Sequence, residues 1–238
     1  MKKNRLFKKV GSTLSIFALA IACFLCFSPV PSLADDRQEA ERVVEKAYWV
    51  IQNFMNDPNL EACRELLKKA KGVFIIPDLL KGAFIVGASG GTGLILVREK
   101  TTTWEGPAFY TLGGASFGLQ IGGQASDVVI LAMTDRGVSS FLTNSFKLGA
   151  DVGVAVGPVG LGASAGTANL SADLISFSRS KGLYGGVALD GSVVAVRDSL
   201  NHAFYGHQVS PTDILVRHEA KSPQAHRLLE EVNKAGRP

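Results

Sequence analysis

Residues 71–100 read KGVFIIPDLLKGAFIVGASGGTGLILVREK, and this stretch decides the class of fold. It consists of short apolar runs rich in Val, Ile, Phe and Gly, bounded by turn residues. The pattern predicts strands at Val73–Ile76, Ala83–Ala88 and Thr92–Arg98, with a turn at Ser89-Gly90-Gly91. Short strands at hairpin spacing indicate an antiparallel sheet.

The same pattern continues to Arg197. It predicts further strands at Pro107–Leu119, Asp127–Met133, Leu148–Val156, Val159–Ala165, Leu174–Ser178, Leu183–Leu189 and Ser192–Arg197. Turns are predicted at Gly113-Gly114, Gly122-Gly123, Gly157-Pro158 and Asp190-Gly191, and the last of these is the strongest hairpin signal. Glycine inside strands permits bends, which favours a small, sharply curved barrel over a flat sheet.

Two helices are predicted before the strands. Asp35 and Asp36 can cap a helix that runs to about Met55, and its apolar residues fill one continuous arc. Asp57-Pro58 ends this helix and begins a second one. Shorter helices are predicted at Asp135–Asn144 and Ser222–Lys234. The fold class expected is therefore α+β, a Gly-rich and mainly antiparallel β-barrel or sandwich packed by the N-terminal helices.

The first 34 residues have the three parts of a secretory signal. Five basic residues come first, an apolar run follows from Val10 to Phe27, and Ser32-Leu33-Ala34 places small residues before a cleavage site. We predict a signal peptide at 1–34, cleaved after Ala34, with a domain at 35–217 and a C-terminal helix or tail at 218–238. An uncleaved anchor helix and a lipoprotein modified at Cys23 are the alternatives. The predicted location is periplasmic or secreted.

Removal of the leader changes the charge of the chain. The whole sequence has 25 Lys and Arg against 21 Asp and Glu, and the leader holds five of the basic residues and no acid. The remaining chain thus has 20 basic and 21 acidic residues, a net charge of −1, so we expect no nucleic-acid binding. Cys63 is then the one cysteine left, which excludes an intrachain disulfide and a cysteine metal site.

The ordered set of these segments resembles the SYLF domain family over roughly residues 37–215. The matching stretches are residues 70–76, the Gly82–Arg98 hairpin with Gly90-Gly91-Thr92-Gly93, Trp104 with Pro107, residues 118–130, 154–158 and 178–186, Tyr205, and Asp213-Ile214-Leu215. The resemblance implies binding to membrane lipids, often phosphoinositides, and in eukaryotic members also to actin. We expect a membrane phospholipid as the partner and leave a protein partner open. Because of the export signal, we expect actin to be an unlikely partner.

The sequence contains no recognisable catalytic or metal motif. The residues His202, His207, His218 and His226 form no zinc-helix pattern, and no Gly-x-Ser-x-Gly elbow occurs. We therefore expect no enzyme activity, no cofactor and no metal. A hydrolase site assembled from distant Ser and His residues remains an alternative, because such sites are recognised by geometry.

Two candidate lipid sites follow from the pattern. Trp49 lies on the polar arc of the first helix beside Arg42 and Lys46, and Trp with basic residues is typical of a membrane interface. The basic residues Lys68, Lys69 and Lys71 would continue this surface. The second candidate is an anion-binding nest of backbone N–H groups at Ser89, Gly90, Gly91 and Thr92.

The function expected is phospholipid binding in the cell envelope, with no catalysis. A scaffold protein that binds another envelope protein through the same helix face is the main alternative. For Trp49, the alternative to contact with a membrane is that its ring packs against the second helix or a loop of the same chain.

Overall fold

The structure, a computed structural model, describes residues 33–83, 86–100, 103–117, 122–161, 171–180, 183–185 and 189–237. The predicted signal peptide lies outside the described residues except for its last two positions, so its cleavage stays a prediction. None of the described helices is long and apolar enough to cross a membrane.

Two helices open the described chain, as predicted. Helix α1 runs over Leu33–Asn56, and α2 over Glu61–Leu67 after a 3₁₀ turn at Pro58–Leu60. The Asp57 carboxylate accepts a hydrogen bond from the backbone N–H of Asn59 at 3.0 Å, which caps the turn. The buried arc of α1 includes Val43, Ala47, Ile51 and Phe54.

Within the described residues, nine strands form one sheet. They are β1 (Gly72–Ala83), β2 (Val86–Lys100), β3 (Thr103–Phe117), β4 (Gly122–Ala132), β5 (Ser145–Lys147), β6 (Val154–Val156), β7 (Leu174–Ser180), β8 (Leu183–Gly185) and β9 (Val193–Val196). The strand order is β5-β9-β3-β2-β1-β4-β7-β6, and β8 pairs with β7. Every pairing is antiparallel except β6 with β7. The sheet is strongly curled into a half-barrel, so the α+β class is confirmed, while the closed barrel is not formed.

Three of the predicted turns lie in strands, and one of them, Gly122-Gly123, begins β4 and pairs with Ala83 and Gly82 of β1. Ser89-Gly90-Gly91 is in the middle of β2, and Gly113-Gly114 pairs with Gly90 and Ser89 within β3. The turn predictions were wrong there because glycine inside a strand and glycine in a turn look alike in sequence. The interruption after Ile76 is a bulge in β1, where Asp78 has a φ of 52°.

Three other predictions differ from the structure. The segment Leu148–Val156 is mostly a turn, with β5 before it and β6 at its end. The strand predicted at Val159–Ala165 is absent over residues 159–161, and its remainder lies outside the described residues. Asp190-Gly191 does turn, but the flanking strands do not pair with each other, because β8 pairs with β7 and β9 with β3 and β5.

Four further helices follow the central strands. They are α3 (Asp135–Ser140), α4 (Asp198–Tyr205), α5 (Pro211–Leu215) and α6 (His226–Ala235). Helices α4 and α5 were not predicted, since each is short. The C-terminal segment does not lie apart from the domain: Leu228 and Val232 of α6 are fully buried against α1 and the sheet.

The two faces of the sheet bury two separate clusters, as the alternation of side chains along strands requires. Ile75, Leu94 and Phe109 face α1, α2 and α6. Phe74 and Tyr110 face the opposite side, where α3 and α5 contribute to the core. The helices that carry the predicted site therefore all lie on one face.

Arg98 joins three elements on that face. Its guanidinium donates hydrogen bonds to the carbonyls of Leu67 and Ala70 at 2.8 Å each, and to that of Gly236 at 3.2 Å. It also lies 4.4 Å above the ring centroid of Trp104, which is 2 % exposed. Trp104 is therefore part of the interior, and Arg98 connects the ends of α2 and α6 to β2.

Candidate functional site

The outer face of α1 carries the predicted aromatic and basic residues together. Arg42, Lys46 and Trp49 are all exposed, and Trp49 keeps 48 % of its surface accessible. They lie one turn apart along the helix, opposite the arc that packs on the sheet. The structure therefore brings these three predicted residues onto one surface.

The structure adds Arg227 of α6 to this surface. Its guanidinium carbon lies 3.9 Å from the ring centroid of Tyr48 and 5.4 Å from that of Trp49. The two rings meet edge to face, with centroids 5.1 Å apart. We call Arg42, Lys46, Tyr48, Trp49 and Arg227 the α1–α6 face.

Arg227 was missed at the sequence level. A signal was present, because Leu228 and Val232 repeat at helical spacing within the predicted helix Ser222–Lys234. That spacing places Arg227 on the border of the buried stripe. What the sequence did not show is that this stripe packs beside α1.

The charge of the α1–α6 face is partly compensated. The ammonium of Lys46 lies 2.7 Å from a carboxylate oxygen of Asp78. Burial raises the pKa of the neighbouring Asp127 carboxyl, although the backbone N–H of Asp78 opposes this shift. Within the described parts of the chain, neither Arg42 nor Arg227 has a carboxylate within ion-pair distance. These two guanidinium groups therefore supply most of the available positive charge.

A shallow groove beside this face lies between α1 and α6. It has a volume of about 240 Å³, with Val44, Tyr48 and Leu228 in its walls and Glu41 and Glu45 at its border. This volume is below the roughly 300–1,000 Å³ of typical small-molecule pockets. The geometry therefore suits contact with a surface better than enclosure of a ligand.

The remaining predicted lysines form a second group. Lys68, Lys69 and Lys71 border an open groove of about 550 Å³ with Arg98 and Lys100. The ammonium of Lys71 lies 2.6 Å from the Asp135 carboxylate.

The two basic groups are well separated. The partner of Lys46 is Asp78, while Lys71 directly precedes Gly72 at the start of the same strand. Six residues of strand between Gly72 and Asp78 span about 20 Å at roughly 3.3 Å per residue. The structure thus divides the six predicted lipid-binding residues into two sites.

The predicted anion nest does not have the geometry that it required. Ser89, Gly90, Gly91 and Thr92 lie in β2, which pairs with β1 on one side and with β3 on the other. The Thr92 hydroxyl instead donates to the Glu39 carboxylate of α1 at 3.2 Å. Backbone N–H groups in a strand paired on both sides bond to the neighbouring strands, so these four residues do not form an anion-binding nest.

The histidines lie apart from the α1–α6 face or at its margin. His207 contacts the Tyr205 carbonyl at 3.1 Å, and His218 lies 3.8 Å from the Glu105 carboxylate. His226 lies 3.5 Å from Glu230 in α6. Among the described residues, no group of three or more His, Cys, Asp or Glu could hold a metal ion.

Cys63 lies on the buried side of α2. It is fully buried, and this burial raises the pKa of the thiol to about 12, against a smaller lowering by the Arg64 charge. A thiol in such surroundings remains protonated and unreactive.

Comparison with known proteins identifies similar chains. A family model named Ysc84, described as "Las17-binding protein actin regulator", matches residues 113–235. The human SH3 domain-containing YSC84-like protein 1 is 31 % identical over 206 residues, which cover 85 % of this chain and 59 % of the human protein. Protein YSC84 of Saccharomyces cerevisiae is 33 % identical over 208 residues, covering 85 % of this chain and 44 % of the yeast protein. LAS seventeen-binding protein 3 of the same yeast is 33 % identical over 193 residues, covering 79 % and 41 %.

These matches confirm the SYLF resemblance and correct one expectation. The chain spans about three fifths or less of the length of these relatives. The family description refers to Las17 binding and actin regulation, and the name of LAS seventeen-binding protein 3 refers to LAS seventeen binding. The expectation that actin is an unlikely partner was therefore wrong. An export signal in the sequence says nothing about the partners of related domains.

Proposed function

Because this chain belongs to the Ysc84 family of Las17-binding protein actin regulators, we propose that it is a non-enzymatic binding domain whose α1–α6 face docks on anionic phospholipid surfaces. The observation that carries the proposal is the cluster formed by Trp49, Tyr48 and Arg227. It joins a half-exposed indole to a guanidinium on two neighbouring helices.

Aromatic and basic side chains act together at a membrane interface. Tryptophan prefers the headgroup region of a membrane, where its ring contacts the lipid chains and its N–H contacts water. The Arg227 guanidinium is held over Tyr48, so less side-chain entropy is lost when it meets a phosphate. A preorganised pair of this kind favours a flat anionic surface over an enclosed ligand.

The electrostatic contribution can be estimated from the free cations. A Lys or Arg near an anionic leaflet contributes about 1 kcal/mol. Arg42 and Arg227 together therefore contribute about 2 kcal/mol, close to a 30-fold change in affinity. Lys46 attracts the surface less, because the Asp78 carboxylate already compensates its charge.

Vesicle binding tests the proposal. The described domain is mixed with vesicles of phosphatidylcholine containing phosphatidylglycerol, at low and at high salt, and the bound fraction is measured by flotation. The double variant Arg42→Gln with Arg227→Gln should weaken binding about 30-fold at low salt. Trp49→Ala should weaken it with a smaller dependence on salt, since its contribution is interfacial.

A matched control uses the second basic group. Lys68→Gln with Lys69→Gln removes the same amount of charge from the second basic group, just after the C-terminal end of α2. The proposal requires that this control binds nearly as well as the parent protein. Equal losses in both double variants would show a general charge effect and would remove the α1–α6 face as the site.

The second candidate function is binding of a protein partner, and the names of the relatives favour it. These relatives are named for Las17 binding and YSC84, and the family for actin regulation. Cosedimentation of the domain with actin filaments is the direct test. Binding that survives the Arg42 and Arg227 changes would place such a partner on a different surface.

Export of the protein belongs to this proposal as well. We infer that the chain acts in the cell envelope after cleavage behind Ala34, supported by the apolar run Val10–Phe27 and the small residues that follow it. N-terminal sequencing of the protein from an envelope fraction should give Asp35 as the first residue. A modified Cys23 at the N-terminus would establish the lipoprotein alternative instead.

A further inference from the structure

Two opposite charges border the groove between α1 and α6 without pairing with each other. Glu45 of α1 and Arg227 of α6 both line this groove. Across the described ranges of the chain, neither side chain has a partner of opposite charge within ion-pair distance. A carboxylate and a guanidinium are therefore both available to a ligand that enters the groove.

The neighbouring carboxylates of α1 are already compensated. Glu41, which also lines the groove, lies 3.1 Å from the Arg37 guanidinium. Glu39 lies 3.1 Å from the guanidinium of Arg197. The unpaired acid at the groove is thus Glu45, and its position opposite Arg227 suits a ligand that carries both a positive and a negative charge.

The aromatic rings beside the groove decide which kind of cation it can take. A quaternary ammonium is bound by open aromatic faces. Here the Arg227 guanidinium already lies 3.9 Å from the centroid of the Tyr48 ring, and the edge-to-face contact with Trp49 uses a further part of these rings. The Glu45 carboxylate remains for the ligand, and a carboxylate accepts hydrogen bonds from the N–H groups of a primary ammonium.

We propose that this groove binds the ethanolamine headgroup of one phosphatidylethanolamine molecule. The primary ammonium of the headgroup contacts Glu45, and its phosphate contacts Arg227. Because this lipid is one component of the surface on which the α1–α6 face docks, the inference rests on the proposed function and adds a lipid class to it.

The size and position of the groove suit a headgroup that stays in the bilayer. Its volume of about 240 Å³ is small for a complete ligand, and its walls include the apolar residues Val44 and Leu228. Arg227 also lies 5.4 Å from the ring centroid of Trp49, which is half-exposed on the side that would meet the membrane. A headgroup can therefore reach the groove while its acyl chains remain among the other lipids.

Other common headgroups lack one of the two contacts. Phosphatidylcholine has no N–H group to donate to Glu45. Phosphatidylserine has the ammonium but adds a carboxylate, which Glu45 and Glu41 would repel. Phosphatidylglycerol has no cation and is attracted through Arg42 and Arg227 alone. The groove therefore distinguishes phosphatidylethanolamine from the anionic lipids that attract the face as a whole.

Vesicle flotation at a constant fraction of phosphatidylglycerol tests this inference. The remaining lipid is either phosphatidylethanolamine or phosphatidylcholine, so the surface charge is the same in both. The protein should bind the phosphatidylethanolamine vesicles about fivefold more tightly, the size of one exposed ionic contact. In Glu45→Gln the ratio of the two affinities should fall to about one.

A matched control removes the same charge elsewhere. Glu61 is exposed at the start of α2, outside the groove, and Glu61→Gln should keep the fivefold preference. This comparison also separates headgroup binding from the different packing of the two lipids, because each variant meets the same vesicles. Circular dichroism checks that both variants are folded.

Soluble headgroups give a reading that does not depend on a membrane. Glycerophosphoethanolamine should shift the indole N–H resonance of Trp49, while glycerophosphocholine should not. The second tryptophan, Trp104, is 2 % exposed and serves as the internal reference. Glu45→Gln should abolish the shift.

The two arms separate this inference from the proposed function. Equal binding of both kinds of vesicle, or a preference that persists in Glu45→Gln, overturns the headgroup assignment and leaves anionic surface binding intact. Loss of the preference in Glu61→Gln as well would show a general charge effect and would also overturn it. A protein that binds no vesicles but shows the Trp49 shift would retain the headgroup site while the proposed function fails.

Discussion

Replacing Arg98 should loosen the attachment of two helix ends to the sheet. In Arg98→Met the aliphatic part of the side chain remains, while the guanidinium is removed from the carbonyls of Leu67, Ala70 and Gly236. The Leu67 carbonyl is at the C-terminal end of α2, where helix carbonyls lack partners within the helix, and the Ala70 carbonyl lies in the turn that follows. The third belongs to the end of α6.

The magnitude follows from the bonds that are lost. A hydrogen bond to a charged group contributes about 1.5–3 kcal/mol, and the low end applies because the site is only half-buried. Burial lowers the pKa of Arg98, which shows that the charge is partly desolvated and offsets some of the gain. Two short bonds and the contact with Trp104 then give a loss of about 3–4 kcal/mol.

Urea unfolding followed by circular dichroism measures the loss, and hydrogen exchange locates it. Exchange should accelerate in α6 and in the last turn of α2 before it does in the central strands. Arg98→Lys is the matched variant: it keeps the charge but cannot reach three carbonyls, and should lose about half as much. A loss below about 0.5 kcal/mol in Arg98→Met, with unchanged exchange in α6, would refute the assignment of Arg98 as a clamp.

Three further changes test the interior. Asn201→Leu should cost about 1–3 kcal/mol in urea unfolding, because the fully buried Asn201 amide oxygen accepts the Phe109 N–H at 2.9 Å; a neutral result would contradict this role. Gly93→Ala should reduce the free energy of unfolding by about 1–3 kcal/mol, because the new Cβ would lie 2.7 Å from the Ile75 carbonyl oxygen. The midpoint of thermal unfolding should fall accordingly, and an unchanged midpoint would show that the strand can shift to make room. Cys63 should resist thiol labelling in the native state. Burial raises the pKa of the Cys63 thiol from 9.0 to about 12, so the protonated thiol contributes fully to the free energy of unfolding below pH 9. This contribution should fall as the pH rises from 9 towards 12. Rapid labelling of the native protein would contradict the burial of Cys63.

Much of the fold could be predicted because local patterns determine it. The arc of α1 and the capped break at Asp57-Pro58 are local features, and both are present. The long strands were divided wrongly because Gly90 and Gly113 lie in paired strands without needing a turn. The partners of β9 could not be predicted, since its pairing with β3 joins residues that are about 80 positions apart in sequence.

The candidate site was predictable only where one helix carries it. Arg42, Lys46 and Trp49 share the outer face of α1, so helical spacing was sufficient to group them. Arg227 joins them through tertiary packing of α6, which no local pattern encodes. The lysines near Lys68 were grouped with them incorrectly, because helix spacing gives no distance between two separate helices.

The strand order also has a consequence for how the chain folds. β1, β2 and β3 pair in sequence order, so the hairpins that they form close short loops, which cost little entropy. β4 instead pairs with the far side of β1, next to a strand formed earlier in the chain. β9 returns later still to the free side of β3. We therefore expect a nascent chain to assemble this sheet from its centre outwards, with the C-terminal helices closing over α1 only after most of the chain has been synthesised.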